Sequence, residues 1–377
     1  MTAAARVAVL VVALAWLAPS QAERVDFPLL PALKSELAQE SLLLDAARSD
    51  ERLLVSGEQG HILHSDDGGQ TWTQADVPVS LAITSVAFAG QGHAWATAHE
   101  GYVLHSADNG ATWGVELAGS DVARLSVAAI ERQVAQLRTA LDEATPATLE
   151  DAEWALEDGL FALDEARGAI DDGMTSPMLR IWFADDENGF ALGAYGIFLR
   201  TMDGGETWVA DKDRRDNPDK YHYYGIAQSR AGTLLVAGEA GTLLRSLDGG
   251  NEWQRIESPY PGSFFGTVAA SDGSLLIFGL RGNVFRSVDE GASWIAVDTH
   301  DQRTLMCGVA NDDGTVILAG SAGAILRSDD AGASFDVVPT NGGTVYSGAT
   351  FVPDGDVLLV GFGGVYSLGS LAENGDD

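Results

Sequence analysis

The stretch Gly232-Thr-Leu-Leu-Val-Ala-Gly-Glu-Ala-Gly-Thr-Leu-Leu-Arg-Ser-Leu-Asp-Gly-Gly-Asn-Glu-Trp253 holds the grammar of the whole chain. Residues 233–237 form one short apolar run, Gly238-Glu-Ala-Gly241 a tight turn, and residues 242–245 a second run. Residues 246–250 turn again, residues 252–256 leave as another extended segment, and residues 224–228 precede all of this as the first. Short apolar runs cut by Gly and Asp turns are what a four-stranded antiparallel meander is made of.

The unit recurs. The second glycine of the turn falls at Gly60, Gly101, Gly196, Gly241, Gly282, Gly323 and Gly364, so the gaps are 41, 95, 45, 41, 41 and 41 residues. A period near forty built from short strands is the signature of a propeller blade. The reading is all-β: a seven-bladed β-propeller over residues 23–377 with an inserted α-helical hairpin. The turn glycines are expected at positive φ, where a side chain would clash.

Six of the seven turns lead into a box of the form Ser/Thr-x-Asp-x-Gly-x-x-Trp/Phe. It reads Ser65-Asp-Asp-Gly-Gly-Gln-Thr-Trp72 in the first unit and Thr201-Met-Asp-Gly-Gly-Glu-Thr-Trp208 in the third. The copy at 246–253 carries Glu252 at the Thr position, and the copy at 328–335 ends in Phe335. Asp67 and its equivalents are placed to accept hydrogen bonds from turn amides, Gly69 to take the left-handed step, and Trp72 to pack between blades. One carboxylate per turn falls short of the six to eight oxygens that calcium takes, so no metal or cofactor is expected. The boxes resemble the BNR or Asp-box repeats of sialidases and related propellers.

The gap of 95 residues holds a different pattern. Ile130, Val134, Leu137 and Leu141 repeat at helical spacing, as do Leu149, Leu156, Leu160, Leu163 and Ile170. Thr145-Pro-Ala-Thr148 interrupts them, and Thr148 with Asp151 suggests a capped start to the second run. A helical hairpin over residues 120–172, between the second and third blades, follows. As a fourth-to-first connection it should rise over the end of the ring that carries the Gly-x-x-Gly turns. The seventh unit lacks a box, and residues 25–30 are a candidate fourth strand for it.

Charge and composition narrow the function. The chain has 55 acidic and 22 basic residues, a net charge of −33, which repels phosphate backbones and anionic lipid surfaces. Nucleic acid is therefore not an expected partner. The one cysteine, Cys307, sits in an apolar stretch and reads as a buried thiol. Arg6, the apolar residues 7–17 and the small residues Ser20 and Ala22 read as an export signal over residues 1–22, cleaved near Ala22. The mature chain is expected in the periplasm, or in the thylakoid lumen of a photosynthetic cell, as a soluble monomer.

Two sets of side chains are candidates for contact with a protein. The loop after Trp208 concentrates Lys212, Arg214, Arg215 and Lys220 with Tyr221 and Tyr223, and Tyr195, Arg281, Phe264 and Phe362 fall on the same predicted end. Aromatics with arginine are favoured at interfaces. The second set is a base before each box: His64, His105, Arg200, Arg245, Arg286 and Arg327.

With its Gly-x-x-Gly turn leading into Arg-Ser/Thr-x-Asp-Gly-Gly-x-x-Trp, best seen at 193–208 and 238–253, the chain resembles the photosystem II assembly and stability factors. The resemblance implies an exported, non-enzymatic propeller that binds an immature membrane-protein subunit through an arginine-bearing surface. It carries over to Arg200, Arg245, Arg286 and Arg327. The hairpin and the histidines at 64 and 105 depart from that pattern. In a non-photosynthetic bacterium the corresponding role is an accessory to an envelope complex or transporter. A sialidase-like glycoside hydrolase is the alternative, but the Arg-Ile-Pro motif of that class is missing here.

Overall fold

A computed structural model of the chain describes residues 30–90, 92–173, 175–210, 217–340 and 342–369. Its strands form seven antiparallel meanders, each in chain order: six sheets of four strands and one of three. The first blade shows the pattern. Strand β1 (Leu43–Ser49) pairs with β2 (Arg52–Gly57), β2 with β3 (Ile62–Ser65), and β3 with the two-residue β4 (Thr73–Gln74). The last blade holds β25 (Tyr346–Phe351), β26 (Val357–Gly361) and β27 (Gly364–Ser367). β1 packs against β25, so the ring closes.

Burial follows strand position. The second strands are the heart of each blade: Ala94–Ala98, Leu234–Gly238 and Val316–Gly320 are buried at every residue. Each core cluster of the propeller spans a blade boundary, as where Leu54 and Ile62 of the first blade pack with Val86, Leu104 and Trp113 of the second. No blade buries its faces alone, and stacking neighbours around a ring supplies the missing partner.

The glycine expectation holds for the second glycine of the turn; the first is extended, as at Gly57 (φ −168°), where a Cβ would sit 2.2 Å from the Leu42 carbonyl oxygen. The Gly-x-x-Gly turn puts its last two residues at positive φ, Gln59 at 56° and Gly60 at 76°, the pairing that suits a tight right-twisted hairpin. A Cβ on Gly60 would sit 2.1 Å from the Val79 carbonyl oxygen. The non-glycine partner tolerates the left-handed region at some cost, and at Tyr195 (φ 55°) it holds the phenol outward.

The box is a closed local network. Thr71 donates from its amide (2.9 Å) and its hydroxyl (2.6 Å) to Asp67, and Ser65 Oγ donates to the same carboxylate at 2.7 Å. These bonds favour the charged form, Thr71's side chain and amide most, and hold the Asp67 carboxyl at about 2. Asp289 and Asp330 are held at about 2 in the same way, first by the hydroxyls of Ser293 and Ser334. Gly205 at φ 89° lies where a Cβ would be 2.1 Å from the ring of Trp95, and Trp208 meets that ring edge-on at 5.6 Å. The closing aromatics thus seal one blade to the next.

Helices α1 (Gly119–Asp142) and α2 (Leu149–Asp171) form the inserted hairpin, packed through Ile130, Val134 and Leu163. Its feet stand on the corresponding turn of the second blade, Ala98-His-Glu-Gly101. A Cβ on Gly119 would meet the Glu100 carbonyl oxygen at 2.0 Å, and the Thr175 hydroxyl donates to the Glu100 carboxylate. The cap read at Thr148 differs: its hydroxyl accepts from the Thr145 amide at 3.1 Å, which leaves no side-chain bond into the first turn of α2.

The candidate strand at 25–30 and the export signal lie outside the described residues, apart from Leu30, which is a bend. The segment after it runs along the first blade. The Ala32 amide donates to the Val77 carbonyl, and Lys34 Nζ to the carbonyls of Gln74 and Ala75. Cys307 is buried on the first strand of the sixth blade, and burial pushes its thiol up to about 12.

Candidate functional site

Antiparallel strands put the Gly-x-x-Gly turns at one end of the ring and the boxes at the other. The hairpin rises over the first of these ends, and a cleft of about 680 Å³ opens between it and the third blade. Small residues of the helices, Ala123, Ala129 and Ala166, leave the space open. Tyr195, Ile197 and Lys220 line it from the propeller side. Tyr195 is 60% exposed. Lys220 Nζ bridges to Glu165 of α2 at 2.5 Å, joining the loop to the hairpin across the cleft mouth.

Aromatic rings continue from the cleft across the neighbouring blades. Tyr195 meets His222 edge-on at 4.9 Å, His222 lies 6.1 Å from Tyr224, and Tyr224 lies 5.3 Å from Phe265. Burial, and then the Glu239 carboxylate, push the Tyr224 phenol above its ordinary value, so it stays a neutral hydrogen-bonding group at any physiological pH. A surface of this kind offers apolar area with polar tips at low conformational cost.

The residues expected on this end are not all at the surface. Lys220 and Tyr221 are partly exposed, held by Asn217, which accepts from the Tyr221 amide at 2.9 Å. Tyr223, expected to meet a partner, is fully buried in the core against Phe198 at 5.7 Å. Phe264 is likewise buried, whereas Phe362 is 69% exposed. The reason is the period of two: along strand β13 (Tyr223–Gln228) and the residues before it, alternate side chains turn inward. Lys212, Arg214 and Arg215 lie outside the described residues.

The bases before the boxes belong to the other end, and most work between blades. Arg200 is buried, lies over the Phe190 ring at 5.6 Å, and donates to the carbonyls of Gly250 (2.9 Å) and Gly249 (3.1 Å) in the next box. Arg245 reaches the Glu290 carbonyl at 3.3 Å, and Arg286 the Ala331 carbonyl at 3.1 Å together with the Asp272 carboxylate. Arg327 faces the blade without a box. It turns to Asp329 of its own box at 2.9 Å, and its side chain stays 49% exposed. His105 stacks on Trp95 at 4.3 Å and on His93 at 5.1 Å.

Composition gave no sign of one further polar cluster. Asp45, on the first strand of the first blade, is buried and accepts from Ser85 Oγ (2.7 Å) and the Val86 amide (3.1 Å) of the second blade. Arg180 of the third blade adds an ion pair at 3.1 Å. Three innermost strands are tied by one carboxylate, a pairing that only the closed ring brings together.

Among the described residues there is no group of three or more His, Cys, Asp or Glu side chains able to hold a metal ion, and no helix long and apolar enough to cross a membrane.

Comparison with known proteins agrees with the architecture. "YCF48 bound to D1 peptide" superposes with a TM-score of 0.59 at 16% identity, over 89% of this chain and 96% of that one. YCF48 from Cyanidioschyzon merolae gives 0.60 at 15% identity, over 89% and 96%. The GH74 enzyme of Niastella koreensis gives 0.59 at 12% identity, over 87% and 52%. At such identities these likenesses speak for the fold alone. In sequence, the photosystem II assembly lipoprotein Ycf48 of Synechococcus sp. (strain CC9902) is 34% identical over 98 residues, which is 25% of this chain and 28% of that protein. The family model "Photosynthesis system II assembly factor YCF48" matches residues 31–154 and 164–302. The chain belongs to the YCF48 family of photosynthesis system II assembly factors.

Proposed function

We propose that this chain is an exported, non-enzymatic accessory factor that holds a protein partner, a subunit of a membrane complex, during assembly. The observation that carries the reading is the cleft under the hairpin, continued by the Tyr195–His222–Tyr224–Phe265 track, on a propeller of the YCF48 family. The rings supply apolar contact, Lys220 and Tyr221 supply polar contact at the rim, and the open ring end admits an extended segment. Arg327, exposed where the box series ends, is the base before a box most available to an acidic partner.

In a photosynthetic cell the partner class is a photosystem II subunit; in another bacterium it is an envelope or transporter subunit. The glycoside hydrolase reading finds less support. Arg200, Arg245 and Arg286 are spent on successive blade boundaries and do not converge as a carboxylate clamp would require.

Affinity capture from envelope membranes tests the proposal. The wild-type chain is expected to recover one defined set of membrane-complex subunits, and Tyr195→Ala combined with Lys220→Glu to lose about tenfold of it. Equal recovery by that variant removes the cleft from the proposal. No recovery, together with turnover of a glycoside, overturns it.

A further inference from the structure

We infer that the outward side of α2 is a docking surface for a basic, amphipathic helical segment of another protein. The side of α2 facing α1 is occupied by Leu156, Gly159, Leu163 and Ala166. At 3.6 residues per turn, Trp154 and Phe161 share one stripe on the opposite side, two turns apart. They are 61% and 71% exposed. Single exposed apolar residues are ordinary. Two large aromatics in phase on one helix face are an apolar patch of the kind that marks contact with another molecule.

Charge decides what that molecule is. Helix α2 carries eight acids and one base, whereas α1 carries three of each. The one base, Arg167, is taken by Glu131 of α1 at 2.5 Å. Glu150, Glu157 and Asp164 border the aromatic stripe on one side and Asp158 on the other, while Glu165 is taken by Lys220 at the cleft mouth. An anionic lipid surface is repelled by this border, and a second copy of the chain would set the same acids against each other. A cationic segment is attracted, and its apolar side chains must meet two rings about 10 Å apart along the axis. Residues i and i+7 of a second helix match that spacing, with lysine or arginine on its flanks to meet the acids.

The surface lies outside the cleft, so it stands or falls separately from the function proposed above. The probe is a fluorescein-labelled peptide of about eighteen residues, long enough to be helical once docked, with leucines on one face and lysines elsewhere. A second peptide replaces each leucine by serine and keeps the charge. Fluorescence anisotropy with the full chain is expected to show binding of the Leu/Lys peptide about tenfold tighter than the Ser/Lys peptide. Trp154→Ser with Phe161→Ser is expected to abolish that preference while its melting curve and its weak binding of the Ser/Lys peptide stay the same. A Leu/Lys preference unchanged in the double variant overturns the inference, since attraction to net charge alone then explains the binding. So does sedimentation showing a dimer that the double variant loses, or co-flotation with phosphatidylglycerol vesicles that depends on the two rings.

Discussion

At the box end of the ring, Arg200 points into the protein and donates to the carbonyls of Gly249 and Gly250, so its charge is consumed in joining two blades. At the other end, Lys220 bridges to a helix inserted between two blades, and Tyr195 stands exposed beside a cleft. Both ends are built from the same repeat. The difference is that box turns find a partner turn on the next blade, while a Gly-x-x-Gly turn packs its last glycine on the following connection and leaves the residue before it outward, as at Tyr195. Repetition satisfies the first end and leaves the second available.

The sharpest way to break this contrast is at the box. Gly205→Val adds a side chain at φ 89° directly into the Trp95 ring, and a loss of about 4 kcal/mol or more is expected in urea unfolding. A loss below about 1 kcal/mol would mean that the boxes do not seal the blades.

Next come the arginines. Arg200→Met strands the buried Gly250 carbonyl and should cost about 1–3 kcal/mol. Arg327→Met, at the boundary with the blade that lacks a box, removes one exposed ion pair and should stay within about 0.5 kcal/mol. Equal losses in the two variants would erase the distinction drawn between them.

The smallest effect is on the acid limb. Asp67, Asp289 and Asp330 titrate at about 2 in the folded chain, below their ordinary 3.8. A lowered carboxylate contributes stability that is fully present above the ordinary value and fades as pH falls from there through 2. Circular dichroism from pH 5 down to pH 2 should therefore show a declining melting temperature, and Asp289→Asn should flatten that decline. An unchanged slope would show that the Ser293 bonds form equally well in the unfolded chain.

The spacing of Gly60, Gly101, Gly196 and their successors was enough to read the blades, because a left-handed turn at a fixed period has few alternatives to glycine. The hairpin was legible for a similar reason: Ile130 and Val134 repeat at helical spacing where glycine is scarce. The site was less legible. Tyr221 and Tyr223 look alike in sequence, yet strand alternation sends the second into the core. That Arg200 binds backbone oxygens some fifty residues on depends on how neighbouring blades stack, which no local pattern records. Asp45 and Arg180, 135 residues apart, meet because the ring turns their strands toward its centre.

Cys307 has a practical consequence. It is the one thiol in the chain, it is buried, and its pKa of about 12 leaves almost no thiolate at neutral pH. The native surface is therefore chemically silent toward maleimides and iodoacetamides. A cysteine placed at 161 on the hairpin, or at 362 on the ring, would be the sole labelling point. Paired dyes or spin labels at such positions can then report distances across the ring end without first removing a native residue.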